Sequence, residues 1–205
     1  AAASRFDNAG QTCIAAKRFI VVEAVAKRFV AGLVAAAAQR RYGDPLQPAT
    51  TLAPLARADL RDALHRQVQQ SLAAGARCLI GGAPIAGTHA GYPATVLDQV
   101  GPGMPAYQEE LFGPVAAVIR VPDAQAALAV ANDSDFGLGA SVWSADLAQA
   151  EQLAGQLQCG AAFVNAPVRS DPRLPFGGCK RSGFGRELGR AGLLELVNSK
   201  TVYLA

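Results

Sequence analysis

Apolar residues along this chain fall into two alternating patterns, short β-branched runs and longer alanine-rich stretches at helical spacing. That alternation predicts βαβ units around a largely parallel sheet, an α/β fold. Lys17-Arg18-Phe19-Ile20-Val21-Val22 reads as a buried strand, after which Val25, Phe29, Val30, Leu33 and Val34 recur on one helical face up to Arg41. Gly43-Asp44-Pro45 ends that helix. A second helix carries Leu60, Leu64, Val68 and Leu72 at four-residue intervals and stops near Gly75, with a strand from Arg77 to Ile80 behind it. The Gly-, Ala- and Pro-rich stretch 81–91 reads as an exposed loop and Tyr92 to Val100 as extended chain.

Val115 to Val121 is a strongly apolar strand, and Asp123 stands where it caps a helix over Ala124 to Asn132. A strand from Gly139 to Trp143, a helix from Ala145 to Leu157 capped by Ser144, and a strand from Ala161 to Asn165 make another unit. Residues 166–186 then form a long irregular segment holding Gly177, Gly178, Gly183 and Gly185, and loops of that length in compact domains are usually functional. A short helix through Leu193 to Val197 and a strand from Lys200 to Leu204 close the chain. With no internal repeat and no linker, one domain is expected. Its last strand lacks a partner within the chain and is available to another subunit.

Composition narrows the function without choosing it. The chain has 205 residues, 51% of them hydrophobic and 17% charged, enough for one sizeable core. Its net charge of +3 comes from 19 basic and 16 acidic residues spread along the sequence, so no basic stripe speaks for a nucleic-acid partner. The longest apolar stretches, such as Phe29 to Ala38, fall short of the roughly 20 residues of a membrane span. Ala1 to Asp7 lacks the basic and apolar regions of a signal peptide. Cys13, Cys78, Cys159 and Cys179 form no C-x-x-C pair and have no histidine at ligand spacing, which speaks against zinc and for four free thiols in a reducing, cytoplasmic setting.

Candidate chemistry begins at Cys13, in the small-residue run Ala9-Gly10-Gln11-Thr12-Cys13. Glycine there permits a tight turn and close approach of a substrate, and a thiolate is a strong nucleophile. The alternative is a small buried hydrophobe. His65, beside an apolar helix face, and His89, in an exposed loop, are the only histidines and the only candidates for a Cys/His hydrolase pair. Glu109-Glu110-Leu111-Phe112-Gly113-Pro114 is either a solvated turn or a binding turn. Gly183-Phe184-Gly185-Arg186-Glu187-Leu188 has Leu188 where a dinucleotide loop needs its third glycine, and no strand immediately before it. Pro175-Phe176-Gly177-Gly178 with Lys180 and Arg181 reads as an anion-binding loop or a surface crossing.

Taken together, four segments resemble one family in order and spacing. Asn8-Ala9-Gly10-Gln11-Thr12-Cys13, Glu109 to Val115, Asn132 to Leu138 and Pro175 to Glu187 look like the C-terminal, catalytic portion of aldehyde dehydrogenases. The resemblance implies a three-layer αβα catalytic domain over residues 1–199, lacking its first strand and helix, and an oligomerisation strand over 200–205 in a dimer or tetramer. It implies Cys13 as the nucleophile that forms a thiohemiacetal and then a thioester, with NAD or NADP as oxidant. Glu110 matches the glutamate that binds the nicotinamide ribose, Phe112 the aromatic beside the nicotinamide ring, and Asn165 a residue behind the nucleophile.

Phe176 matches a residue of the aldehyde pocket. The glutamate base, the oxyanion amide and the cofactor-binding domain precede the cysteine in the family and are expected outside this chain. Lys17-Arg18-Phe19-Ile20 with 165–173 is similar to succinate-semialdehyde dehydrogenases, and Ser170, Arg169 and Arg173 match the loop that meets the aldehyde's tail. Asp7 departs from that group, standing where some members place a carboxylate-binding arginine. The competing expectation is an incompetent fragment that serves only as an assembly module.

Overall fold

The computed structural model describes residues 1–205, and the chain divides into two compact units, Ala1–Asp133 and Ser134–Ala205, where the sequence pattern suggested one. The first unit opens with α1 (Ala2–Phe6), a 3-10 turn over Asp7–Gly10, β1 (Arg18–Val22), α2 (Glu23–Ala38), α3 (Ala58–Ala73), β2 (Arg77–Ile80) and β3 (Thr95–Asp98). It ends with α4 (Pro105–Gln108), β4 (Val115–Val121) and α5 (Ala124–Asn132). Its sheet runs in the order β1-β4-β3-β2. β4 is central because its residues are apolar on both faces: Val115, Ala116, Ala117, Val118, Ile119 and Val121 are all buried.

β1 and β3 lie parallel to β4, with Phe19 opposite Val118 and Val96 opposite Ala116. β2 joins the edge antiparallel to β3, with its register broken between Cys78 and Ile80. Successive strand residues point to opposite faces. On β1 the Phe19 ring packs 5.9 Å from Phe29 of α2, while Arg18 reaches the end of α5 and donates to the carbonyls of Val130 (3.0 Å) and Ala131 (2.9 Å). Helices therefore flank both faces of the sheet. Arg18 also places a cation where the last helical carbonyls lack intrahelical donors.

α2 presents Ala26, Val30, Leu33 and Ala37 inward at helical spacing, and α3 presents Leu64, Val68 and Ser71. The buried Ser71 hydroxyl donates to Gln67 O (2.8 Å) and accepts from the Ala106 amide (3.0 Å), which docks α4 on α3. Asp123 caps α5, its Oδ1 accepting from Ala126 N at 2.8 Å as its position in the sequence suggested.

The second unit holds β5 (Phe136–Gly137), β6 (Gly139–Val142), α6 (Leu147–Gln156), β7 (Ala161–Val164), β8 (Cys179–Lys180) and α7 (Gly189–Leu194). β6 and β7 pair parallel under α6, and β5 pairs antiparallel with β8. Two sequence expectations are corrected here. The cap of α6 is Asp146, whose Oδ1 accepts from Gln149 N at 3.0 Å. Ser144 lies two residues earlier, its hydroxyl accepting from the Asp146 amide. The closing helix runs over Gly189–Leu194 and not Leu193 to Val197.

Lys200 to Leu204 forms no strand in the chain: its backbone has no partner strand here, and Val202, Tyr203 and Leu204 are exposed. All four cysteines are free thiols. No helix is long and apolar enough to cross a membrane.

Candidate active site

Cys13 lies at the exposed tip of a loop that the backbone reaches through three consecutive left-handed residues, Asn8 (φ 51°), Ala9 (φ 52°) and Gly10 (φ 71°). Asparagine tolerates that region and alanine is strained in it, so surrounding contacts must hold the turn. The hold comes from Arg5, a fully buried side chain. Its Nη2 donates to Gly10 O at 2.7 Å and its Nη1 to Ala16 O at 3.1 Å, fastening both ends of the loop that carries the cysteine. The backbone adds Ala16 N to Ser4 O at 2.9 Å.

Burial pushes the Arg5 guanidinium down to about 10, against the opposing pull of Glu110, and its Nε has no hydrogen-bond partner. A buried charge of this kind is costly, and it persists here because two backbone carbonyls would otherwise be orphaned. Gly10 also sits against Gly113: a Cβ at Gly10 would collide with Arg5 Nη2 and the Gly113 carbonyl. The loop of Cys13 is thus pressed onto the turn that contains Glu110 and Phe112.

Lys17 completes the arrangement. Its Nζ donates to Thr12 O (3.0 Å) and Cys13 O (2.9 Å), pairs with Glu110 Oε1 at 2.8 Å and lies 5.8 Å from the centre of the Phe112 ring. Burial lowers the lysine pKa from its ordinary value, with the Glu110 hydrogen bond opposing the shift. The Glu110 side chain remains 40% exposed and Phe112 39% exposed, so a carboxylate and a ring edge both face solvent beside the cysteine loop. Gln67 of α3 steadies the turn from behind, donating to Glu109 Oε2 at 2.8 Å and Glu110 O at 3.3 Å.

Within the first unit, then, Cys13, Glu110 and Phe112 come together through Lys17. Sequence reasoning took Lys17 for the first residue of a strand. Its four-residue separation from the cysteine and its place in the Lys17-Arg18-Phe19-Ile20 string were the available signals. Asp7 pairs with Arg40 at 3.4 Å, and Arg40 stacks on Phe6. Neither histidine hydrogen-bonds to Cys13: His65 Nδ1 lies 3.2 Å from the Tyr92 hydroxyl, and His89 is exposed. No cluster of three or more His, Cys, Asp or Glu side chains gathers to hold a metal ion.

The other predicted residues lie in the second unit. Arg173 forms a forked pair with Asp171, Nε to Oδ1 at 2.9 Å and Nη2 to Oδ2 at 2.7 Å, and its amide also donates to Oδ1 at 2.9 Å. That pairing holds the Asp171 carboxyl down at about 2. Arg169 and Ser170 are exposed immediately before it. Phe176 is half-buried and bridges Glu187 through two backbone hydrogen bonds of 2.7 and 2.8 Å. Asn165, at φ 51°, closes its amide on the backbone of Ser144: Oδ1 accepts from the Ser144 amide at 3.0 Å and Nδ2 donates to its carbonyl at 2.9 Å.

Cys13 thus stands exposed on a pinned, left-handed loop beside a carboxylate and an aromatic, in a largely parallel α/β fold. The chain belongs to the aldehyde dehydrogenase family, whose sequence pattern matches residues 1–202. It is 52% identical over 203 residues to the succinate semialdehyde dehydrogenase (NAD(P)+) of Escherichia coli strain K12, covering 99% of this chain and 44% of that protein. It is 48% identical over 202 residues to a probable succinate-semialdehyde dehydrogenase (NADP+) of Synechocystis, covering 98% and 44%.

Among solved structures, the succinic semialdehyde dehydrogenase of Streptococcus pyogenes in complex with NADP+ superposes with a TM-score of 0.92 at 38% identity, over 98% of this chain and 44% of that one. The betaine aldehyde dehydrogenase of Staphylococcus aureus in complex with NAD+ gives a TM-score of 0.91 at 30% identity, over 95% and 39%. The chain spans less than half the length of the relatives it matches.

Proposed function

We propose that this chain is the catalytic segment of an NAD(P)-dependent aldehyde dehydrogenase acting on succinate semialdehyde, with Cys13 as nucleophile. The observation that carries the reading is the exposed Cys13 thiol on a loop fastened at Gly10 O and Ala16 O by the buried Arg5. A thiol held in this way attacks with little reorganisation of the backbone around it.

Attack of the Cys13 thiolate on the aldehyde carbon forms a C–S bond and converts the carbonyl oxygen to an oxyanion of a thiohemiacetal. The Cys13 backbone N–H is the donor this chain offers to that oxygen. Loss of hydride from the same carbon leaves a thioester on Cys13, and hydrolysis of the thioester frees the carboxylate and restores the thiol. A nicotinamide cofactor, when bound, supplies the oxidant for the hydride step. The residues present fit it: Glu110 offers an exposed carboxylate to ribose hydroxyls, and Phe112 offers a half-exposed ring to a flat heterocycle. The glutamate that activates water and the amide that shares the oxyanion belong, in this reading, to sequence outside this chain.

Ser170, Arg169 and Phe176 are assigned to the aldehyde's tail. Arg173 is assigned to it as well, although Asp171 already engages its guanidinium, which leaves Arg169 and Ser170 the less committed donors for a carboxylate. The C-terminal segment 200–205 is assigned to pairing with another subunit in a homo-oligomer.

Alkylation with iodoacetamide followed by mass spectrometry tests the nucleophile. Burial raises the thiols of Cys78 and Cys159 above their ordinary value, which slows them further. Cys13 is expected to label at least several-fold faster than the other three, and succinate semialdehyde to protect it. Equal labelling of all four removes the proposal.

A further inference from the structure

Three hydrogens on the Lys17 ammonium meet three acceptors: Thr12 O at 3.0 Å, Cys13 O at 2.9 Å and Glu110 Oε1 at 2.8 Å. An ammonium has no further donors, so this side chain is fully committed to one geometry. Only 17% of it is exposed, and the Phe112 ring covers it at 5.8 Å. Two of its acceptors are the carbonyls before and after the Cys13 α-carbon, and the third belongs to a turn almost a hundred residues away. Arg5 also feels the Glu110 charge, but its hydrogen bonds reach only the loop side.

We propose that Lys17 is a positioning residue that transmits the state of Glu110 to the loop carrying Cys13. This rests on the reading of Cys13 as nucleophile and of Glu110 as a ligand-binding carboxylate. A hydroxyl donor that binds Glu110 draws charge from the ion pair, and the ammonium then leans more heavily on its remaining acceptors, the two loop carbonyls. Ligand binding at Glu110 is thereby felt at the nucleophile without any contact between them.

The charged groups facing Lys17 are Glu110 from the turn before β4 and Arg5 from α1, with the Cys13 thiol on the neighbouring loop. Arg5 cannot take over the role, because both its terminal nitrogens are already on Gly10 O and Ala16 O and it repels the ammonium.

The test uses the full chain and two reagents, neutral iodoacetamide and anionic iodoacetate, applied to the wild type, K17M, K17R, E110Q and the K17M/E110Q double variant. With Lys17 present, E110Q is expected to change the iodoacetamide rate at Cys13 by several-fold and to raise the iodoacetate-to-iodoacetamide ratio, because the ammonium is no longer neutralised. In the K17M background the same E110Q change is expected to leave the iodoacetamide rate unaltered. K17R is expected to restore most of the wild-type rate, since it supplies a cation with several donors.

An E110Q effect of equal size in both backgrounds overturns the transmission. So does a K17M rate indistinguishable from wild type. A K17M variant that unfolds is recognised by uniform labelling of all four cysteines, and K17Q then replaces it in the cycle. Wild-type chain in which Cys13 is no faster than the other thiols refutes the nucleophile reading instead. A fast Cys13 with no dependence on Lys17 refutes this proposal alone.

Discussion

Gly10→Ala puts one methyl group where the fold has no room for it. Gly10 lies at φ 71°, and its missing Cβ would meet Arg5 Nη2 and the Gly113 carbonyl, with the Gly113 carbon at 2.7 Å. Alanine in the left-handed region costs about 1 kcal/mol. Relieving the collision means moving the loop off Gly113 or displacing the Arg5 guanidinium from Gly10 O, and a charge-assisted hydrogen bond of that kind contributes about 2 kcal/mol. The sum is about 3 kcal/mol, a fall in melting temperature of about 10 °C for a chain of this size.

Gly87→Ala provides the control, because Gly87 has nearly the same φ, 72°, and open space around it. It is expected to lose only the conformational part, about 1 kcal/mol. Thermal unfolding followed by circular dichroism, run beside the Cys13 alkylation rate, reads both effects. The collision argument fails if Gly10→Ala costs no more than Gly87→Ala, or if Cys13 reactivity is unchanged by it.

Other substitutions probe the frame behind the site. Asp98, 3% exposed, receives two hydrogen bonds from Arg120, Nε to Oδ1 at 3.0 Å and Nη2 to Oδ2 at 2.7 Å, so Arg120→Met should destabilise by about 3 kcal/mol in chemical denaturation. Burial alone would raise the Asp98 carboxyl, but Arg120 wins and holds it below its ordinary 3.8. A carboxyl depressed in the fold contributes stability that is complete above 3.8 and is lost as pH falls below it through the folded value. Unfolding midpoints titrated through that acid range should therefore fall less steeply in Arg120→Met than in wild type. Asp123→Ala removes the cap of α5 and should cost about 1 kcal/mol, read by the same denaturation, whereas Ser144→Ala, outside the cap of α6, should cost clearly less than Asp146→Ala.

The elements that could be read from the chain are those whose cause is local. β4 and α5 occur at Val115–Val121 and Ala124–Asn132, where the apolar run and the capping Asp123 placed them, because a buried strand and a capped helix both announce themselves within a dozen residues. α3 buries Leu64 and Val68 as the four-residue spacing requires, although Leu60 on the same stripe stays exposed. The cap of α6 went to Asp146 and not to Ser144 because two acceptors stood within two residues, and only the path of the backbone chose between them. The antiparallel placement of β2 and the division into two units depend on pairings between distant segments, which periodicity does not encode.

For the site the division is sharper. The sequence by itself determined the α/β class and the family, and it singled out Cys13, Glu110 and Phe112 as candidates, because those motifs are contiguous strings. It did not show that Arg5 is the buried fastener of the Cys13 loop or that Lys17 joins that loop to Glu110. Both are ordinary basic residues in one dimension. Their roles arise only when folding brings a guanidinium and an ammonium, largely stripped of water, against the backbone carbonyls of the Cys13 loop.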